Sequence, residues 1–158
     1  MVVYGAAAAH SAAVVRAFSG QRALVFLADS SQDRAETEAR RVNDAGGVAQ
    51  SALVDLLDQN ELEEYTAELA EWTGGIDVAV VAVADEEADA QLAIAGMVAE
   101  RMAAQGSGIV VIMSADRTSE RDFWRLTERA AVDGVAVLPV FSAPALPEAP
   151  LCVEGSRS

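Results

Sequence analysis

The chain has 158 residues, 52% hydrophobic and only 5% aromatic, enough for one domain whose core is built from Ala, Val, Leu and Ile. Eleven basic against 25 acidic groups leave a formal charge of −14, which repels nucleic acid, anionic lipid and phosphorylated ligands wherever cations are not concentrated locally. Every basic residue is an arginine, so Schiff-base chemistry and a Walker lysine are excluded; one cysteine, Cys152, and one histidine, His10, exclude an intramolecular disulfide and the usual metal clusters.

Val2 to Asp29 reads as strand, tight turn, helix, strand. Strand 1 is Val2 to Tyr4, and the helix after it carries Val14, Val15 and Phe18 on one face and ends at Gly20. Strand 2, Ala23 to Ala28, is a continuous apolar run of the kind a sheet covered on both faces requires. Ser30 and Ser31 can cap a second helix to about Ala45, with a thin apolar face of Ala35, Ala39 and Val42, stopped by Gly46 and Gly47. Strand 3 is Val48 to Val54. Asp58 and Glu61 form a capping-box pair opening a third helix, where Leu62, Tyr65, Leu69 and Trp72 are expected to make one buried stripe.

Strand 4, Ile76 to Ala84, is the most hydrophobic segment. Helix 4 is expected over about 86–105 with Leu92, Ala95, Ala99 and Met102 on one face, then strand 5 over Ile109 to Met113. A short helix over about 119–132 turns Phe123, Leu126 and Ala130 inward, and strand 6 is Val135 to Val140. Six strands alternating with five helices predict an α/β fold: a doubly wound parallel sheet, Rossmann-like, of order 3-2-1-4-5-6 in three layers. Residues 1–150 are expected to be its single domain, and residues 151–158 a disordered tail. The N-terminus has no basic region and no apolar run reaches the ~18 residues that would span a membrane, so a cytoplasmic protein is expected.

Over nearly its whole length the chain resembles the short-chain dehydrogenase/reductase family. That family opens with Thr-Gly-x-x-x-Gly-x-Gly, and the matching positions here are Tyr4, Gly5, Ala9 and Ser11. GQRALVFLAD resembles its second strand, with Asp29 where an acid would bond the adenosine ribose and would favour the unphosphorylated cofactor. VDLLDQNELEEYTAELAEWTGGIDVAVV resembles the stretch from the adenine-contacting Asp, here Asp55, to the entry of strand 4 at Asp77. RMAAQGSGIVVIMSA resembles the end of the family's central helix and its fifth strand, placing Ser114 on the catalytic serine. VDGVAVLPV resembles its sixth strand.

The departures matter more. The Asn-Asn-Ala-Gly that closes the family's strand 4 is Val81, Ala82, Val83 and Ala84. The Tyr-x-x-x-Lys after the serine is missing from DRTSERDFWRLTERAAVDG, and the only tyrosines are Tyr4 and Tyr65. In the family reaction the tyrosine moves the proton while hydride transfers, and the lysine lowers its pKa and holds the nicotinamide ribose. Ser114 alone is then a vestige. Gly5, Ala9, Ser11, Asp29 and Asp55 are a vestigial cofactor site, and the expectation is no bound cofactor, NAD being the one the turn would take if it still binds.

Other residues carry chemistry of their own. His10 at the turn is a proton carrier or anion contact, or simply a helix-capping residue. Ser114 with Asp116 and His10 would make a nucleophilic triad if His10 reached across the sheet. Asp85, Glu86, Glu87 and Asp89 are a solvated helix start, or at most a divalent-cation cluster, and no metal is expected. In the resembled family the helices after strands 4 and 5 pair between subunits. Helix 4 here is rich in Ala and Met, and consecutive Phe123 and Trp124 cannot both face one core. The expectation is a noncatalytic subunit that pairs, through helices 86–105 and 119–132, with an intact homologue or with itself, binding neither nucleic acid nor membrane. The alternative is an enzyme or cofactor-binding reductase subunit with altered chemistry at Ser114.

Overall fold

A computed structural model describes residues 1–5, 14–18, 23–83, 88–114 and 120–141. Six strands, β1 (Val2–Tyr4), β2 (Leu24–Asp29), β3 (Val48–Leu53), β4 (Val78–Val81), β5 (Gly108–Ser114) and β6 (Val135–Phe141), form one sheet of order β3-β2-β1-β4-β5-β6. Every pairing is parallel. The helices are α1, described over 14–18, α2 (Gln32–Asp44), α3 (Gln59–Thr73), α4 (Ala88–Gln105) and α5 (Glu120–Val132). This is the doubly wound α/β fold that the alternating apolar runs predict.

Alternation along the strands divides the core in two. Val2, Tyr4, Phe26, Ala28, Ala79, Val81, Val110, Ile112, Val135 and Val137 point to one face, where they pack against α3, α4 and α5. Val3, Val25, Leu27, Ala49 and Val80 point to the other, where Val15 of α1 and Ala39 and Val42 of α2 cover them. The three buried residues of α2 are the thin apolar face read from the sequence.

Local chemistry fixes the element ends. Asp58 caps α3, its side chain accepting from the N–H groups of Asn60 (2.9 Å) and Glu61 (3.1 Å). Glu61 does not return to Asp58; it accepts from the N–H of Asp55 at 3.1 Å and so tightens the turn before the helix. Asn43 pairs its amide with both the N–H and the C=O of Ala49, covering part of the outer edge of β3.

Two expectations are corrected. Strand 4 begins at Val78, not Ile76, because the N–H and C=O of Ile76 bond the Gln105 side chain (2.9 and 3.3 Å) in place of a neighbouring strand. It ends at Val81, and Ala84 lies outside the described residues. Trp72 is not buried: it is 64% exposed. Ten residues beyond Leu62, at about 100° per residue, it lies about 80° off the Leu62 direction. The buried line runs through Leu62, Thr66 and Leu69, leaving Tyr65 and Trp72 on its flank. Trp72 instead sets its ring edge-on to Phe26, centroids 5.5 Å apart.

Candidate functional site

In a doubly wound sheet the functional crevice lies beyond the carboxyl ends of the strands, where strand order reverses. Here the reversal falls between β1 and β4. Gly5 leaves β1 at φ +86°, its N–H bonded to the C=O of Ala28 (2.9 Å), while the N–H of Ala82 bonds the C=O of Tyr4 (2.8 Å). A Cβ on Gly5 would stand 2.4 Å from the Ala82 carbonyl oxygen and 2.7 Å from its carbon. Both the backbone conformation and the contact with the end of β4 therefore demand glycine at this corner. Packing within the chain is sufficient reason for Gly5, whether or not a cofactor binds. Ala9, His10 and Ser11 lie outside the described residues.

At the end of β2, Asp29 is 2% exposed. Its Oδ1 accepts from the Ser31 N–H (2.8 Å) and from Nε and Nη2 of Arg34 (3.2 and 3.1 Å). This carboxylate caps the loop into α2 and is paired with a cation. Ser30 links the next strand: its hydroxyl donates to Val54 O (3.3 Å) and accepts from Leu56 N–H (3.2 Å). Asp55 is exposed and accepts from the N–H of Leu57 at 3.0 Å, a local turn contact. Asp77 is exposed at the opposite, amino end of β4.

Beyond β4, Val81 and Ala82 are buried and Val83 half-buried, with no side-chain hydrogen-bonding group where the resembled family has its two asparagines. A residue not singled out from the sequence places a polar side chain beside this segment. Gln91, fully buried on α4, donates from Nε2 to the carbonyls of Val83 (2.6 Å) and Met113 (3.4 Å). It thereby ties the segment after β4 to the end of β5. Its Oε1 is buried with no partner among the described residues. The available signal was its register: Gln91, Ala95, Val98 and Met102 follow helical spacing, so a polar side chain sits on the core line of α4.

Ser114 is the last residue of β5, paired in register with Phe141 of β6, and Asp116 lies outside the described residues. The two tyrosines are held in other surroundings. Tyr4 is fully buried, and its hydroxyl is 2.8 Å from Thr66 Oγ1. Thr66 donates to Leu62 O (2.7 Å), so the phenol is the donor in the first contact. Burial, partly offset by Thr66, raises the Tyr4 pKa far above that of a free phenol. Tyr65 sits on α3, pushed up to about 12 by burial. It lines a cleft of about 250 Å³ with Phe26, Ser51 and Trp72, and a neighbouring cleft of about 400 Å³ opens by Leu24, Trp72 and Asp77.

Of the acidic cluster, Asp89 is exposed in the first turn of α4, where it favours the helix dipole, and residues 85–87 lie outside the described residues. Among the described residues no group of three or more His, Cys, Asp or Glu could hold a metal, and no helix is long and apolar enough to cross a membrane.

No protein-family model and no curated protein matches the sequence. Solved structures do match in fold. A metagenomic short-chain oxidoreductase in complex with NADP aligns at a TM-score of 0.77 and 19% identity over 91% of this chain and 80% of that one. A short-chain type dehydrogenase/reductase from Mycobacterium marinum aligns at 0.76 and 17%, over 89% and 72%. A 7α-hydroxysteroid dehydrogenase complexed with NADH and 7-oxo glycochenodeoxycholic acid aligns at 0.74 and 15%, over 89% and 69%. At such identities the likeness establishes the fold, which is that of the short-chain dehydrogenase/reductases.

Proposed function

We propose that this chain is a noncatalytic subunit with the short-chain dehydrogenase fold, serving as a structural or regulatory partner of an intact homologue or of a second copy. The observation that carries the reading is the fate of the proton-transfer groups. The chain has no lysine, and its two tyrosines are spent elsewhere, Tyr4 on Thr66 in the core and Tyr65 on the α3 flank. A serine can orient a carbonyl, but moving the proton takes a phenol, and both phenols of this chain are engaged elsewhere.

The surface of α4 supports a partner there. Ala93, Glu100 and Ala104 are exposed on its outer side, with Gly96 and Met97 half-buried between them. A Cβ on Gly96 would meet nothing within 4 Å, so no contact among the described residues requires a glycine that costs about 1 kcal/mol in a helix interior. Close approach of another helix is a reason for it. On α5, Phe123 is buried and Trp124 is half-exposed, and Arg129 reaches Glu100 of α4 at 3.0 Å. The two helices thus present one continuous surface.

Hydride transfer to and from a panel of carbonyl and hydroxyl compounds, with both nicotinamide cofactors, tests the reading. No turnover above the cofactor background is expected. Turnover abolished by Ser114→Ala overturns it.

A second reading keeps a dinucleotide without autonomous chemistry, favoured by the retained Gly5 corner and by Asp29 at the end of β2. Arg34, bonded to Asp29, adds a cation that suits a phosphorylated ribose, against the preference Asp29 alone implies. Calorimetric titration with NAD(H) and NADP(H) decides it, and no heat at millimolar cofactor removes it.

A further inference from the structure

Aromatic residues are scarce in this chain, at 5%, yet three of them line the cleft of about 250 Å³ between α3 and the β2–β3 side of the sheet: Phe26, Tyr65 and Trp72. Helical spacing puts them there. Tyr65, Glu68 and Trp72 are separated by three and then four residues, so one flank of α3 carries all three. Below them Phe26 of β2 stands in register beside Gln50 of β3, and Ala28 beside Ala52. Phe26 is buried and forms the floor, while Trp72 is exposed and forms a wall, the two ring planes 80° apart. The core does not explain this flank, because the buried line of α3 runs through Leu62, Thr66 and Leu69.

We propose that this cleft binds a small free organic cation, a quaternary or methylated ammonium compound. Ring faces carry the negative part of the aromatic quadrupole and attract a cation held within about 6 Å of the centroid. Two rings at nearly a right angle suit a round ammonium group, which can touch both at once, whereas a planar guanidinium lies flat on only one. Glu68 is exposed at the rim and is the one charged side chain lining the cleft among the described residues. It supplies the opposite charge. No basic side chain lines the cleft, so an anion finds no partner there. The formal charge of −14 adds a field that raises the local concentration of cations. The volume of about 250 Å³ lies just below the roughly 300–1,000 Å³ of pockets for drug-sized ligands. It accommodates one head group, while a peptide bearing the same group would leave most of its surface outside.

The site is separate from the surfaces discussed above. Glu63, Ala67 and Ala70 lie on the flank of α3 that faces Met97 and Arg101 of α4, opposite the flank of Tyr65, Glu68 and Trp72. The crevice between β1 and β4 is at the carboxyl ends of the strands, whereas Phe26 and Gln50 are in the middle of theirs. Cation binding therefore needs neither a dinucleotide nor a partner on α4, and this proposal and the noncatalytic reading can each fail alone.

Choline chloride titrated into the full chain at constant ionic strength tests it, with the N-methyl proton signal followed by NMR and the heat by calorimetry. The methyl signal should move upfield, as protons over ring faces do, and should saturate. 3,3-Dimethylbutan-1-ol has the same shape without the charge and should bind about tenfold more weakly, the loss expected for two cation–π contacts. Trp72→Leu keeps an apolar side chain against Phe26 but removes the ring, and should weaken choline about 5-fold. Glu68→Gln should weaken it about 2-fold. Both positions are exposed, so both variants are expected to fold, which circular dichroism checks. A shift that does not saturate, or equal binding of the neutral alcohol, overturns the proposal. Choline binding unchanged in Trp72→Leu means general attraction to an acidic chain and overturns it too. A trimethyllysine peptide that binds about tenfold more tightly than choline assigns the cleft to a protein partner and overturns the assignment to a free molecule.

Discussion

Substituting Gly5 by alanine tests whether the first turn is kept by packing alone. The perturbation has two parts. Alanine at φ +86° costs about 1–2 kcal/mol for the left-handed conformation. Its Cβ would also stand 2.4 Å from the Ala82 carbonyl oxygen, a backbone atom that no side-chain rotation can move away. Relieving that overlap separates β1 from the end of β4, at about 1–3 kcal/mol by analogy with overpacked cores. The total of about 2–5 kcal/mol is a large share of the 5–15 kcal/mol typical of a domain, and at roughly 2–4 °C per kcal/mol it lowers Tm by about 10 °C. Gly46→Ala is the internal control, because Gly46 has φ +85° but nothing within 4 Å of its Cβ position, so it should show only the conformational part. Urea unfolding without cofactor gives both values. A Gly5→Ala cost no larger than that of Gly46→Ala would refute the packing explanation and return the glycine to a role in binding.

Other outcomes follow from the core and the caps. Both tyrosines have raised pKa values in the fold, so the folded chain holds its phenol protons where the unfolded chain loses them. Stability is therefore full below about pH 10 and falls as pH rises towards 12, at up to about 1.4 kcal/mol per pH unit for each tyrosine. Tyr4→Phe should cost about 1 kcal/mol at neutral pH and flatten that fall in urea midpoints measured from pH 8 to 11.5; an unchanged alkaline slope contradicts the buried phenol. Trp72→Ala should cost about 1–2 kcal/mol, the value of an edge-on aromatic pair with partial burial, and a loss of 3–5 kcal/mol would mean a core tryptophan after all. Asp58→Ala should cost about 1 kcal/mol in the same measurement, with Asp58→Ser close to neutral, since either side chain can accept from the helix N-terminus.

Much of the fold was legible because parallel strands buried on both faces leave continuous apolar runs. LVFLA and IVVIM declare themselves without any alternation, and the glycines after α2 and α3 mark their stops. The thin face of α2 was readable to the residue, since Ala35, Ala39 and Val42 are the only small or apolar positions on that helix. The long-range polar contacts were not. Tyr4 meets Thr66 across 62 positions, and Gln91 bridges the segment after β4 and the end of β5, which no local pattern connects. Trp72 looks like a core residue by its hydrophobicity, but its angular drift from Leu62 carries it off the buried line. The exposed positions of β5 and β6 were invisible for another reason. Ile109, Leu138 and Val140 look like core residues, and only the position of the helices shows that none lies over them among the described residues.

The central claim, a subunit that works by association, is tested most directly by the mass of the purified full chain and of whatever it brings from its own cells. Light scattering should give more than one chain per particle, with Gly96→Glu on the outer side of α4 returning the protein to a folded monomer. A wild-type chain that is monomeric and recovers no partner would contradict the account.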